Sequence, residues 1–167
     1  LLENNYIISS NGIIVDVVLN YEDKNKFEIV REPSFINTNL NSSLNSLNMA
    51  LYLDYIKLII KENYKFSKPI IYINYTSSDI ESTVLNQRFD IVMEKNSWMS
   101  ILDFNLNKSN NNFYNINNKF LLHEGSVLKN YKIDVNENPN LFYSKTKIDL
   151  YKNSISENFI LSKGSQF

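Results

Sequence analysis

Residues 40–79 read LNSSLNSLNMALYLDYIKLIIKENYKFSKPIIYINYTSSD, and the expected fold is organised around them. Leu40, Leu44, Leu47, Leu51, Tyr55 and Leu58 recur at three- and four-residue steps, which places them on one face of a helix. Ile56, Ile59 and Ile60 widen that apolar stripe toward its C-terminal end. Asn39, Asn41 and Ser42 are suitable N-caps, and the helix must stop before Pro69, so the spacing predicts a helix from Leu40 to Asn63. Ile70 to Tyr75, rich in β-branched and aromatic residues, reads as a strand closed by the turn Thr76-Ser77-Ser78-Asp79. A long amphipathic helix feeding a buried strand is the core element of an α+β domain. It carries no catalytic motif.

On the N-terminal side, Tyr6 to Ser9 and Ile13 to Leu19 flank Ser10-Asn11-Gly12, a hairpin turn with Gly12 at positive φ. Ile13, Val15, Val17 and Leu19 give the second strand one wholly apolar face. Phe27 to Val30 is a third short strand, ended by Pro33, so a three-stranded antiparallel meander feeds the helix. On the C-terminal side, Ile91, Met93, Trp98, Ile101, Leu102 and Phe104 suggest a second, shorter helix from Asp90 to Asp103. Asn105 to Asn118 is polar and reads as a surface loop. Phe120 to Leu122 and Ser126 to Ile133 form a strand pair turning near Gly125, Leu141 to Tyr151 fits no single pattern, and residues 152–167 read as a tail or linker. No internal repeat is visible.

The 167 residues fit one domain, 1–167, and a net charge of −1 argues against a generally basic nucleic-acid binder. No run of eighteen apolar residues occurs, so no membrane span is expected. The N-terminus has no basic-then-apolar leader, and a chain beginning at Leu1 without Met reads as a trimmed or processed product. The absence of cysteine excludes disulfides, thiolate zinc sites and a cysteine nucleophile, and fits the cytoplasm. The 28 asparagines, with abundant Lys, Ile and Tyr, read as the codon bias of an AT-rich genome, because an apolar content of 43% is that of a globular chain. Sequons at Asn41, Asn74 and Asn107 are no more than this composition produces by chance.

With 3 glycines in the chain, neither a P-loop nor a G-x-G-x-x-G nucleotide loop exists. His123 is the single histidine; beside Glu124 at a strand end it reads as a surface or capping residue rather than a catalytic base. Asp79, Glu81 and Asp90 could pair for acid–base work or Mg²⁺, but turn and N-cap roles account for Asp79 and Asp90. The 11 tyrosines have no Lys or Arg clustered beside them, so packing accounts for them better than base stacking. Lys145, Lys147 and Lys152 make one modest basic cluster. No catalytic, cofactor-binding or metal residue is expected.

Three blocks in order carry a resemblance. They are NGIIVDVVL (11–19) with KFEIVREP (26–33), then KENYKFSKPIIYINYTSSDI (61–80) with RFDI (88–91), then FLLHEGSVL (120–128). Together they resemble the N-terminal domain of the magnesium-chelatase-like competence ATPases (the ComM/YifB group). That domain is related to the Lon protease proteolytic domain and to the second domain of a small-subunit ribosomal protein. Gly12, Phe27, Ile29, Val30, Pro33, Phe66, Ile73, Asn74, Asp79, Phe89 and Asp90 fall on the matching positions. Arg31, Tyr64 and Tyr75-Thr76-Ser77-Ser78 depart from the pattern, as in a diverged member.

The resemblance implies a Lon-like α+β fold, a small mixed or antiparallel sheet with two packed helices. Asn86-Gln87-Arg88-Phe89-Asp90 lacks the serine of a Lon-type Ser-Lys dyad, so no proteolysis is implied. The implied role is a non-catalytic, cytoplasmic accessory domain of an AAA+ ATPase. Its partners would be the motor domain or ring-forming copies of itself, with DNA engaged through the parent protein. A second reading is an unrelated interaction module from an AT-rich genome, on a cell surface or elsewhere. A third, a protease-like hydrolase, requires a reactive serine beside a lysine.

Overall fold

From Tyr55 onward, parallel backbone pairing joins residues about thirty positions apart instead of neighbours across a hairpin. The structure, a computed structural model, describes residues 3–31, 43–136 and 138–163. β4 (Tyr55–Ile60), β6 (Val84–Met93), β8 (Phe113–Leu122) and β10 (Leu141–Leu150) lie in order and parallel in one sheet. β5 (Ile70–Thr76), β7 (Trp98–Asn107), β9 (Val127–Asn136) and β11 (Ile155–Lys163) do the same in the other. Val84 pairs with Phe113 and Phe113 with Leu141, so each turn of chain climbs by one strand. This is a two-sheet β-solenoid whose rungs are β4–β5, β6–β7, β8–β9 and β10–β11.

The N-terminal end is closed by antiparallel strands. β1 (Asn5–Ser10) pairs in parallel with β5 and antiparallel with β2 (Ile13–Val18), completing a six-stranded sheet. β3 (Phe27–Val30) pairs antiparallel with β4, completing a five-stranded one. The expected β1–β2 hairpin is present, with Asn11 and Gly12 both left-handed (φ 52° and 83°). The expected meander is not, because β3 belongs to the opposite sheet.

The α+β expectation with two packed helices is therefore overturned. Among the described residues there is one helix, α1 (Ser43–Leu51), on the outer side of the five-stranded sheet against β6 and β8. The expected caps Asn39, Asn41 and Ser42, and Pro33, lie outside the described residues. The chain leaves the helix after Leu51, and before β4 the Asp54 carboxylate accepts from the backbone N–H groups of Ile14 (3.0 Å) and Tyr55 (2.8 Å). Ile56, Leu58, Ile59 and Ile60 then form a parallel strand, where apolar residues can occupy both faces. The second expected helix, 90–103, is the end of β6, a corner and the start of β7. Its helix-like spacing arose because inward Ile91, Met93 and Ile101 and outward Leu102 and Phe104 are all apolar.

An internal repeat exists, contrary to the sequence expectation. Glu94-Lys95-Asn96-Ser97, His123-Glu124-Gly125-Ser126 and Tyr151-Lys152-Asn153-Ser154 occupy the same corner of successive rungs. In each, the fourth residue donates its N–H to the first residue's carbonyl, and the serine Oγ donates to the same carbonyl at 2.7 Å. The third residue is left-handed throughout: Asn96 (φ 55°), Gly125 (φ 69°) and Asn153 (φ 56°). That position suits Gly or Asn alone among common residues. The strands around Gly125 are thus not a hairpin; β8 and β9 lie on opposite sheets.

The Asn-rich run 105–118 is no surface loop, and 152–163 is no tail. Asn105, Asn112, Asn115 and Asn118 are buried, and β11 is a full strand. At the second corner, Asn112 accepts from Thr83 N–H (2.9 Å) and donates to Ile80 O (2.9 Å). Twenty-eight residues on, Asn140 accepts from Asn112 N–H and donates to Ser109 O (3.0 Å). One amide per rung ties each corner to the rung before it. We expect Asn112→Ala to destabilise the fold by about 1–3 kcal/mol, because it strands buried backbone groups. Replacing exposed Asn20 should change the unfolding free energy obtained from urea titration by less than about 0.5 kcal/mol.

Candidate interaction surface

Parallel in-register stacking turns every position into a column, so the character of each sheet face can be read strand by strand. On the inward side, Ile56–Phe89 and Leu58–Ile91–Phe120 make a dry core in the early rungs. Tyr72 of β5 meets Phe89 across the interior with ring centroids 4.8 Å apart. Toward the C-terminal rungs the inner face of the six-stranded sheet becomes polar: Tyr72 is followed by Asp103 and Lys132, and Asn74 by Asn105 and Asp134. Asn74 Nδ2 donates to Asn105 Oδ1 (3.1 Å), and Asn105 Nδ2 to Asp134 Oδ1 (2.5 Å). Such amide ladders follow from identical spacing along the stack.

Lys132 spans the interior. Its Nζ donates to Ser144 Oγ on the opposite sheet at 2.6 Å and pairs with Asp134 at 3.6 Å. A serine and a lysine therefore do meet, at positions remote from the 86–90 segment where the family pattern directs attention. Base catalysis needs a free amine lone pair. Here Nζ lies between Asp134 and the Ser144 hydroxyl and so bridges the two sheets. Burial pushes the Asp103 carboxyl up to about 7; Lys132 and Asn74 pull against that shift, and Asp134 adds to it.

The other sequence candidates stay apart. His123 stacks on Tyr151 (5.1 Å) at the Gly125 corner. Asp79 and Glu81 lie in the exposed bend between β5 and β6. Asp90 is buried on the outer face of the five-stranded sheet, bound by Tyr55 OH (3.0 Å), Arg88 (3.1 Å) and Lys119 N–H (3.1 Å). Lys145 and Lys147 sit on edge strand β10, where charge discourages stray strand pairing; Lys147 also pairs with Asp149 (3.3 Å). Among the described residues no group of three or more His, Asp or Glu could hold a metal. A corner cleft of about 330 Å³, lined by Asn111, Asn112, Phe113, Pro139, Asn140 and Leu141, contains no titratable side chain.

What sequence reasoning missed is a surface. On the outer side of the six-stranded sheet, one column runs Tyr6–Ile71–Leu102–Tyr131–Phe159 and the next Ile8–Ile73–Phe104–Ile133–Leu161. Tyr75, Leu106 and Val135 continue a third. These alternate with the inward residues, and exposure reaches 40% at Leu106, 55% at Phe159 and 52% at Leu161. Thirteen positions, with strands about 4.8 Å and columns about 6.8 Å apart, give an apolar patch of roughly 420 Å², and Ser10 and Lys163 end the third column. That is the size of the largest apolar patch on an ordinary monomer, which is often functional.

The opposite outer face differs. There Asn86, Arg88, Asp90, Asn115, Asn117 and Lys119 point outward. Helix α1 covers part of this face, with Asn48 donating to the backbone carbonyls of Gln87 (3.0 Å) and Asn115 (2.6 Å). No helix among the described residues is long and apolar enough to cross a membrane. The chain matches no protein-family model and no curated protein.

Asp103 makes stability depend on pH. A carboxyl raised from its ordinary 3.8 to about 7 holds its proton more tightly when folded, so its contribution weakens as pH rises between those values. Asp103→Asn should melt like the parent near pH 4 and progressively higher than it up to pH 7, with the gain constant above. Paired thermal melts across pH test this.

Proposed function

We propose that this solenoid is a non-catalytic interaction module that docks through the outer face of its six-stranded sheet. The observation that carries the reading is the asymmetry of its two outer faces. One carries Asn, Arg, Asp and Lys across its middle and is partly covered by α1, while the other carries Ile, Leu, Phe and Tyr there, with Leu106, Tyr131, Phe159 and Leu161 exposed. Exposing that array has a cost in water that a partner removes. Cations are sparse on this face for nucleic-acid phosphates: Lys129 pairs with Glu157 (3.1 Å), and Lys163 ends the third column. A sugar partner would need polar groups among the rings, and the two apolar columns contain only the hydroxyls of Tyr6 and Tyr131. The accessory role beside an ATPase motor followed from the Lon-like fold and draws no support from a solenoid.

A cytoplasmic location belongs to the same proposal. The sequon Asn74-Tyr75-Thr76 lies inside the stack, with Asn74 and Thr76 buried. A glycan attached there before folding would block closure of the β4–β5 rung. Routed through a eukaryotic secretory pathway, the chain should emerge glycosylated and misfolded. Thr76→Val, which removes the sequon and a buried hydroxyl with no hydrogen-bond partner, should restore folding.

The docking surface is tested by placing a photo-crosslinking residue at Ile133 or, as control, at Lys119 on the opposite face, in cells producing the protein. Adducts with a macromolecule at position 133 and none at 119 are expected. Absence of adducts at 133, or equal labelling at both positions, would remove the reading.

A further inference from the structure

Away from the docking face, we infer that residues 13–30 form a releasable strap, latched over the N-terminal end of the stack by the carboxylate of Glu22. The strap is β2, the connection 19–26 and β3 in one run, and it crosses from one sheet to the other. β2 ends the six-stranded sheet and β3 the five-stranded one, so among the described residues each is held along one side only. β3 is four residues long, and the β1–β2 ladder is interrupted by a register shift at Ile8/Ser9. None of β6 to β11 pairs with the strap, so the later rungs do not need it as a neighbour. Beneath it the interior is apolar: Phe27 of the strap meets Phe66 (6.0 Å between ring centroids), and Val17, Leu19, Phe27 and Ile29 help line a cleft of about 310 Å³.

Glu22 fixes the middle of the strap, and it is only 5% exposed. Its Oε1 accepts from Asn5 Nδ2 (2.7 Å), Ser67 Oγ (2.9 Å) and the backbone N–H groups of Ser67 (3.1 Å) and Lys68 (3.2 Å). Its Oε2 accepts from Tyr64 OH (2.8 Å) and shares the Ser67 N–H (3.1 Å). Neutral donors from β1 and from the chain between β4 and β5 therefore converge on one anion. The charged groups nearby are turned elsewhere: the Lys68 ammonium donates to the Glu3 carbonyl and lies over the Tyr21 ring (3.9 Å). Asp23 contributes its backbone N–H to Tyr64 OH (2.9 Å). Burial works to raise the Glu22 carboxyl, but the bonds from Ser67, Asn5 and Tyr64 outweigh it and hold it below its ordinary value. A carboxyl so lowered stabilises the closed strap above the ordinary carboxylate range and loses that contribution as pH falls through its own value. Closure by apolar packing alone would carry no such dependence.

Hydrogen exchange on the whole chain, read peptide by peptide, tests the latch. In Glu22→Ala the amides of residues 13–30 should exchange about tenfold faster or more at neutral pH, because charge-assisted hydrogen bonds are lost. β6 to β9 should keep the parent's protection. Sodium formate should return protection to 13–30 in that variant by placing a carboxylate in the emptied cradle, whereas sodium chloride at equal strength should not. Formate should leave the parent unchanged. Should Glu22→Ala not fold, the parent carries the test. Lowering the pH from about 7 to about 3, with intrinsic exchange rates corrected, should release 13–30 before β6 to β9. Unchanged exchange in 13–30, or protection lost evenly from 13–30 and β6 to β9, would overturn the latch in either experiment. A released strap that formate does not restore, or that chloride restores equally well, would overturn it too.

Discussion

Each rung of this protein is held by backbone hydrogen bonds to the rung before it, in parallel and in register, and every other feature depends on that ladder. Because neighbours on the stack are 28 to 33 residues apart in sequence, a residue type repeated at that step becomes a column in space. Columns of Ile, Leu and Phe make the dry core, and columns of Asn make hydrogen-bonded ladders. The corner asparagines 112 and 140 exist for the same reason, since each closes its corner by reaching one rung back. No rung buries its inner face alone, so the solenoid gains stability by stacking.

The ladder also separates the two outer faces chemically. Helix α1 and the Tyr55–Asp90–Arg88 group occupy one of them and bond to several of its polar groups. Nothing comparable among the described residues lies over the other, and its residues are those expected of a buried layer. Inside the stack, Lys132 bonds to both Ser144 and Asp134, and burial raises the Asp103 carboxyl to about 7. The polar interior bridges the two sheets, and the docking role proposed for the apolar exterior rests on its residues alone.

Local features were legible in the sequence. The Asn11-Gly12 turn, β2, β3 and β5 all lie where alternation and turn residues place them. What failed was pairing. Alternation shows that a segment is a strand but not whether its partner is adjacent or a rung away, so Gly125 reads as a hairpin tip when it is a corner. The helix overran because Tyr55 to Ile60 is apolar on both faces, a pattern that satisfies helix and buried parallel strand alike. Asparagine composition hid the rest. The corner motif Asn/Gly-Ser at 96–97, 125–126 and 153–154 was visible as text, yet among 28 asparagines it did not stand out. The apolar outer face was readable only after the register was known, because it consists of alternate residues from five separate segments.

The register itself is most directly tested by cysteine pairing on the outer face of the five-stranded sheet, in a chain with no cysteine of its own. Lys119 and Lys147 are partners across β8 and β10, with Cα atoms about 4.8 Å apart, within disulfide range. The double variant Lys119→Cys/Lys147→Cys should oxidise to an intramolecular disulfide at low protein concentration. Lys119→Cys/Lys145→Cys, two residues out of step on the same face, should form it far less. Equal yields from the two pairs, or no bond in either, would contradict the in-register stack on which the solenoid, its columns and its docking face all rest.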